Sequence, residues 1–328
     1  MPKRFNLLKS IRKHGIFYVC IVVFIFFAIA SDAFLSRANL MNVVRQVSML
    51  GISAVGMTCV ILTSGIDLTV GSVLGIAGTV CAKLMVEAGF HPIISVILAL
   101  LAACLCGAVS AFLITSVRIP PLIATLGLMG TIRGIIYILC GGLPIYGFTK
   151  AFKVIGQGYV GIIPVPVIIM VVIFITGHLF LNRSRYGRYI YGLGGNEEAA
   201  RLSGVNIRGM KYLTYIFSAL CSGIAGIVML SRLFSAQPTT GDGFEMNVIT
   251  AVVLGGISIA GGEGKLSGVV AGVLIIGILT NGMILLNIDS YWQMVVQGIV
   301  LLIAVGVDQM GKSMQGKTGR IEKAEKAA

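Results

Sequence analysis

The chain has 328 residues, of which 57% are hydrophobic and 11% charged, with a net charge of +13 and a mean hydropathy of +0.98. A soluble domain carries about 25% charged residues, so a water-soluble globular protein is excluded: there are too few polar side chains to cover its surface. Disorder needs low hydrophobicity, which leaves a polytopic membrane protein.

A helical span needs about 20 mostly apolar residues. After a basic start over residues 1–13 (Lys3, Arg4, Lys9, Arg12, Lys13), the uncharged windows run 14–31, 46–66, 68–82 and 88–117. Then come 119–149, interrupted by Arg133, and 154–182, 212–231, 246–262, 266–288 and 290–307. The first window has the basic flank of a signal peptide but no A-x-A-type cleavage site, so it is kept as a span. The third is short, and Lys83 beyond it can snorkel to an interface. Continuous apolar runs such as 21–30 lack the alternation of an outer-membrane barrel. The sequence therefore predicts an all-α protein of about ten transmembrane helices, with a membrane domain over 14–310 and a short basic tail over 311–328.

Lys and Arg give the orientation, because cytoplasmic loops carry the excess. With the N-terminus inside, 18 of the 25 basic residues fall on inner segments and six on outer ones, Arg133 being within a span. An even number of spans then places both termini in the cytoplasm. The positive charge is thus a topology signal, and nucleic acid is not expected as a partner.

Intramembrane ionisable residues mark ion pathways, because a charge at the bilayer centre costs at least ~2.5–3.5 kcal/mol. Arg133 is the one clear case, with Asp67 at a junction. This scarcity argues that the driving energy comes from outside the chain; the alternative is an ion-coupled secondary transporter or a channel acting alone. Asp67, in Ser64-Gly-Ile-Asp-Leu-Thr-Val-Gly71, is placed to cap the next helix or to sit at a gate. A second segment, Gly255-Gly-Ile-Ser-Ile-Ala-Gly-Gly262, resembles it 191 residues on, and the span count puts both copies on the cytoplasmic side. Gly71/Gly75, Gly130/Gly134 and Gly268/Gly272 have the spacing that lets helices approach closely. Asn281, Gln293 and Gln297 are polar residues in apolar spans, either lining a path or joining helices by hydrogen bonds.

Two nucleotide-like patterns fail on context. Gly156-Gln-Gly-Tyr-Val-Gly161 follows no strand and is predicted outside. Gly264-Lys265 lacks the remaining phosphate-loop residues, since Ile259 and Leu266 stand where Gly and Ser or Thr are required. No catalytic constellation or metal-ligand spacing is present, and the seven cysteines lie in or beside apolar stretches as small buried residues.

The long inner loop, 183–211, opens with Arg183, Arg185 and Arg188, which suit an anionic membrane surface. Gly194 and Gly195 then allow a turn, Asn196 is a good N-cap, and Glu197 and Glu198 fall where the helix dipole favours anions. Ala199, Ala200, Arg201 and Leu202 are helix formers, Ser203 follows, and Gly204 is placed to stop the helix. The spacing predicts a helix of about two turns, with an apolar face of Ala199, Ala200 and Leu202 able to fit a groove.

These residues carry a resemblance that covers nearly the whole chain. The run GRYIYGLGGNEEAARLSGVN at 187–206 is the most specific part. AVGMT at 54–58, SGIDLTVG at 64–71, SAQPT at 235–239 and AVVLGG at 251–256 accompany it. The chain resembles the permease subunit of ATP-binding-cassette importers for monosaccharides, in the ribose/xylose/galactoside branch, with ribose-type permeases most similar. The resemblance implies a vitamin-importer-like fold in the bacterial inner membrane and a homodimer with the path on its axis. It also implies a cytoplasmic ATPase that docks on Gly195–Gly204 and holds the ATP and Mg, and an extracytoplasmic sugar-binding protein. No cofactor is then expected on the chain itself.

Overall fold

The computed structural model describes residues 2–306 and 309, with side chains from residue 15 onward. The predicted tail, 311–328, lies outside the described residues.

A helix stands in each of the ten windows. They are α1 (Pro2–Ala30), α2 (Arg37–Leu62), α3 (Val70–Val86), α4 (Pro92–Thr115) and α5 (Pro121–Cys140). A short helix, α6 (Lys153–Gln157), and a hairpin of β1 (Tyr159–Val160) and β2 (Ile163–Pro164) precede α7 (Val165–Arg183). Two helices, α8 (Arg185–Gly195) and α9 (Glu197–Leu202), lie in the long loop. Then come α10 (Ile207–Leu233), α11 (Phe244–Leu254), α12 (Leu266–Leu285) and α13 (Ser290–Gly306). Local chemistry sets several starts: the Ser36 hydroxyl accepts from the Asn39 amide at α2, and Pro92, Pro121 and Pro166 occupy first turns, where a missing N–H costs nothing.

Among the described residues, six helices are long and apolar enough to cross a membrane: α2, α4, α5, α7, α10 and α12. The chain is a multi-pass membrane protein. The apolar parts of α1, α3, α11 and α13 are shorter. Burial sorts the helices by place, since 83% of the apolar window of α2 is buried but only 17% of that of α7. Helices α2 and α10 form the centre, flanked by α3, α4 and α5 on one side and by α11, α12 and α1 on the other. Outer helices such as α4 and α7 present Ile, Leu and Val outward, as hydrocarbon around them requires.

Contacts near the helix ends fall into two sets. In one, Asn39 meets Asn281, Lys83 meets the Leu139 carbonyl, Ile145 bridges Ala236, and Phe152 and Gly156 meet Ser231. In the other, Ser64 meets Gly194 and Ala260, Thr125 meets Ile66, and Tyr191 meets Gly264. The chain passes from one set to the other at each successive long helix from α2 to α12.

One window folds differently from a plain span. After α10 the chain turns at Phe234, which has a left-handed φ of +55°, and residues 235–243 run back alongside α3 until Gly241 packs on Gly71. Gly71 is twelve residues before Lys83, about 18 Å along α3. The 11-residue α11 therefore begins deep between the helices and spans only about 16 Å. The paired glycines divide three ways. Gly268 and Gly272 admit the Gly255 and Ala251 carbonyls of the α11 end, so this pair joins two helices. Gly71 and Gly75 instead admit the backbone of residues 240 and 241. Gly130 and Gly134 face open space, so no close helix contact forms there among the described residues.

Candidate functional site

The loop between α7 and α10 is more structured than its sequence led us to expect. Ser184 accepts from the Gly187 amide at 3.1 Å and starts α8. Tyr186, Tyr189, Ile190 and Leu193 recur at helical spacing, and Ile190 and Leu193 are buried. That periodicity was the available signal for α8. Gly194 and Gly195 form its last turn rather than a free one, and the break comes at Asn196, whose φ of −162° is extended. Asn196 Oδ1 then accepts from the Ala199 amide at 2.9 Å and caps α9. Helix α9 has six residues, fewer than two turns, and ends where Gly204 takes a φ of +80°.

The exposed surface of α9 also differs from the expected one. Ala200 is buried, so the outward groups are Glu197, Glu198, Ala199, Arg201 and Leu202, the last 80% exposed. Two ion pairs brace the helix: Glu198 to Arg201 at 2.6 Å and Glu197 to Lys211 of α10 at 2.9 Å. Such exposed pairs contribute at most about 1 kcal/mol each, so the hold on the loop lies elsewhere.

That hold is a backbone clasp beneath α8. Gly194 packs so closely on the Leu62 carbonyl and the Gly262 amide that a Cβ there would collide with both. The Gly262 amide donates to the Leu62 carbonyl at 3.0 Å. The Ser64 hydroxyl, on a residue with a φ of +58°, reaches the Ala260 carbonyl at 2.7 Å and the Gly194 carbonyl at 3.2 Å. The two similar segments, 64–71 and 255–262, are thus in contact, and the end of α8 sits on both.

Asp67 lies above this clasp and is 1% exposed. The N-cap of α3 is Thr69, not Asp67. Asp67 Oδ1 accepts from the Thr69 amide at 3.0 Å and its hydroxyl at 2.5 Å, a turn before the helix. Oδ2 accepts from the Ser218 hydroxyl of α10 at 2.9 Å. The carboxylate therefore ties the junction to the central helix.

Arg133 is held by the returning segment. Its guanidinium pairs with Asp242 at 2.7 Å and donates to the Pro238 and Thr240 carbonyls at 3.1 and 2.8 Å. These bonds fix the non-helical stretch before α11 onto α5. Asn281 forms a reciprocal amide pair with Asn39 at 2.9 and 3.0 Å, joining α12 to α2. Asn39, which also donates to the Phe34 carbonyl, was not singled out from sequence; a polar residue early in a helix gives no sign of its partner. Gln293 and Gln297 are half-buried one turn apart on α13, and Gln293 donates to the Ile288 carbonyl.

Three recesses follow α12. Two are walled by hydrocarbon from α7 and α12, with His178 and Ser267 in the more inward one. The third, about 90 Å³, lies between α2, α10, α11 and α12 and is lined in part by Gln46, Asn247 and Thr280. Asn247 Oδ1 is buried there without a hydrogen-bond partner among the described residues, a state that costs about 1–3 kcal/mol.

Comparison with known proteins places this arrangement in a class. Residues 39–305 match the family described as branched-chain amino acid transport system / permease component, and the chain belongs to that family. The ribose import permease protein RbsC of Bacillus subtilis is 41% identical over 94% of this chain and 96% of its own. RbsC of Escherichia coli K12 is 44% identical over 85% and 88%. The D-allose transport system permease protein AlsC of Escherichia coli K12 is 36% identical over 94% and 95%. No solved structure matches.

Proposed function

We propose that the chain is the membrane-spanning permease subunit of an ATP-driven, binding-protein-dependent importer of a ribose-like monosaccharide. The likeness to sugar import permeases along nearly the whole chain carries this reading. The clasped helix at one end of the bundle and the lack of a phosphate-binding loop support it. ATP and Mg reside on a separate ATPase subunit, and an extracytoplasmic protein delivers the sugar.

In this reading α1, α2, α3, α4, α5, α7, α10, α11, α12 and α13 make ten passages in a vitamin-importer-like fold, with residues 1–13, 183–211 and 311–328 in the cytoplasm. The alternation of end contacts and the excess of basic residues on one side support that topology. Two copies form the unit, with the sugar path between them, and Gln293 and Gln297 contribute polar groups to its wall. Glu198 and Leu202 of α9 enter a groove of the ATPase. Closure of the ATPase pair on ATP pushes α9, and the clasp at Leu62, Gly194 and Gly262 passes the displacement to both helix junctions. The two arrangements of the halves then alternate in access. Asp67 and Asn281 act by holding the moving parts in register.

The test is reconstitution. Liposomes holding the chain, its ATPase and the binding protein should accumulate ribose only with ATP, and a sodium or proton gradient should drive none into liposomes holding the chain alone. Leu202→Glu should insert normally but no longer co-purify with the ATPase. Uptake driven by an ion gradient alone would establish the secondary-transporter reading instead.

A further inference from the structure

We propose that Asp242 meets the sugar on the path between two copies of the chain, its carboxylate accepting hydrogen bonds from sugar hydroxyls while Arg133 holds it in position. This rests on the importer reading above. Asp242 was not singled out from sequence, because its place beside α5 comes from the return of the chain after α10.

Three observations converge on Asp242. The first is depth. Its partner Arg133 stands eight residues beyond Thr125 and six before Leu139, about 12 and about 9 Å along α5. Thr125 and Leu139 belong to the two opposite sets of end contacts, so the ion pair is well inside the span. The second is exposure. The Asp242 side chain is 53% exposed, against 17% for Arg133, and a Cβ at the adjacent Gly243 would meet none of the described residues within 4 Å. A carboxylate this open is costly against hydrocarbon, so its free side faces water. The third is the surface around it. Gly130 and Gly134 flank Arg133 on the open side of α5 and carry no side chain into the space there. Helix α4 differs: from Ile93 to Phe112 every exposed residue is Ile, Leu, Val or Phe, as lipid requires. The bare, charged edge of α5 suits a hydrated passage instead.

The far wall of that passage is the second copy. In a two-fold pair a residue beside the axis faces its own symmetry mate, so α5 faces α5 across the path. The chemistry fits a polyol. An ionised carboxylate only accepts hydrogen bonds, and sugar hydroxyls donate them. The Pro238 and Thr240 carbonyls fix the Arg133 guanidinium at 3.1 and 2.8 Å, and its bond of 2.7 Å to Oδ1 fixes Asp242 in turn. The acceptor is thus presented without reordering a long side chain. One such contact from each copy guides the sugar without binding it tightly, and weak holding is what release on the far side requires.

The experiment uses the reconstituted complex with ATPase and binding protein, and ribose as substrate. We expect Asp242→Leu to lower ATP-driven uptake about tenfold while ATP hydrolysis stays within about twofold and the melting temperature is unchanged. Asp242→Asn, which keeps an acceptor, should retain most of the uptake, and Arg133→Lys should retain uptake that Arg133→Leu loses. In a background lacking the native cysteines, Gly130→Cys should react with a charged thiosulfonate at least about tenfold faster than Leu101→Cys on α4. A short homobifunctional maleimide should join it to its counterpart in the second copy. Wild-type uptake in Asp242→Leu would overturn the contact and leave the importer reading intact. A parallel loss of uptake, hydrolysis and melting temperature would also overturn it, assigning the ion pair to packing. Equally slow labelling of the two cysteines would overturn it by placing this face of α5 in lipid. Absence of ribose uptake by the wild-type complex would overturn the importer reading and the contact with it.

Discussion

Asp67 shows how a single side chain came to differ from its sequence reading. Its position before a helix suggested a cap, and it does bond the amide two residues on. Its second oxygen, however, accepts from Ser218, 151 residues away. A carboxylate this buried stays in place because three donors surround it. Replacement by Ala would orphan those donors, at about 1–3 kcal/mol for each buried group. Asp67→Asn keeps an acceptor for the Thr69 amide. We therefore expect Asp67→Ala to lower the melting temperature in detergent and abolish uptake. Asp67→Asn should melt closer to wild type and retain measurable transport. Equal loss in the two variants, with unchanged melting, would point to a role for the charge itself.

At the scale of the element, the loop between α7 and α10 was half legible. Caps and helix formers announced α9, because these signals are local: Asn196, the two glutamates and Gly204 act on neighbours within one turn. The sequence did not reveal that Ala200 faces inward, or that Gly194 is a contact point rather than a hinge. The second depends on where α2 and the α11–α12 junction lie. The two glycines separate the explanations. A Cβ at Gly194 meets the Leu62 carbonyl, whereas none of the surrounding atoms is within 4 Å of one at Gly195. Gly194→Ala should therefore displace the loop and reduce ATPase co-purification, while Gly195→Ala should behave as wild type in the same assay. Arg133 teaches the same lesson from the other direction. An arginine within a span reads as a functional charge, yet here its partners are Asp242 and two carbonyls of the turns that lie between two apolar windows.

For the whole molecule, the placement of Lys and Arg and the contacts between helix ends support the proposed topology. It can be checked by labelling in a background lacking the seven native cysteines. Leu202 and Ile162 are 80% and 78% exposed at opposite ends of the bundle. A membrane-impermeant maleimide should label Ile162→Cys in intact cells and Leu202→Cys only after permeabilisation. The reverse pattern would invert the molecule and remove the ATPase from α9. Gly130 and Gly134 belong to this scale too, since their open face on α5 has no partner among the described residues.

What the sequence determined by itself follows from short-range and bulk physics. Apolar windows are dictated by the cost of unpaired backbone groups in hydrocarbon, and the α9 helix by its own caps. Tertiary structure alone decided that Asn39 answers Asn281, that Ser64 and Gly194 meet across 130 residues, and that α11 starts in mid-bundle beside an unpartnered Asn247. A polar group in an apolar chain must find a partner, but which one it finds depends on how distant helices pack, and spacing along a single segment does not encode that.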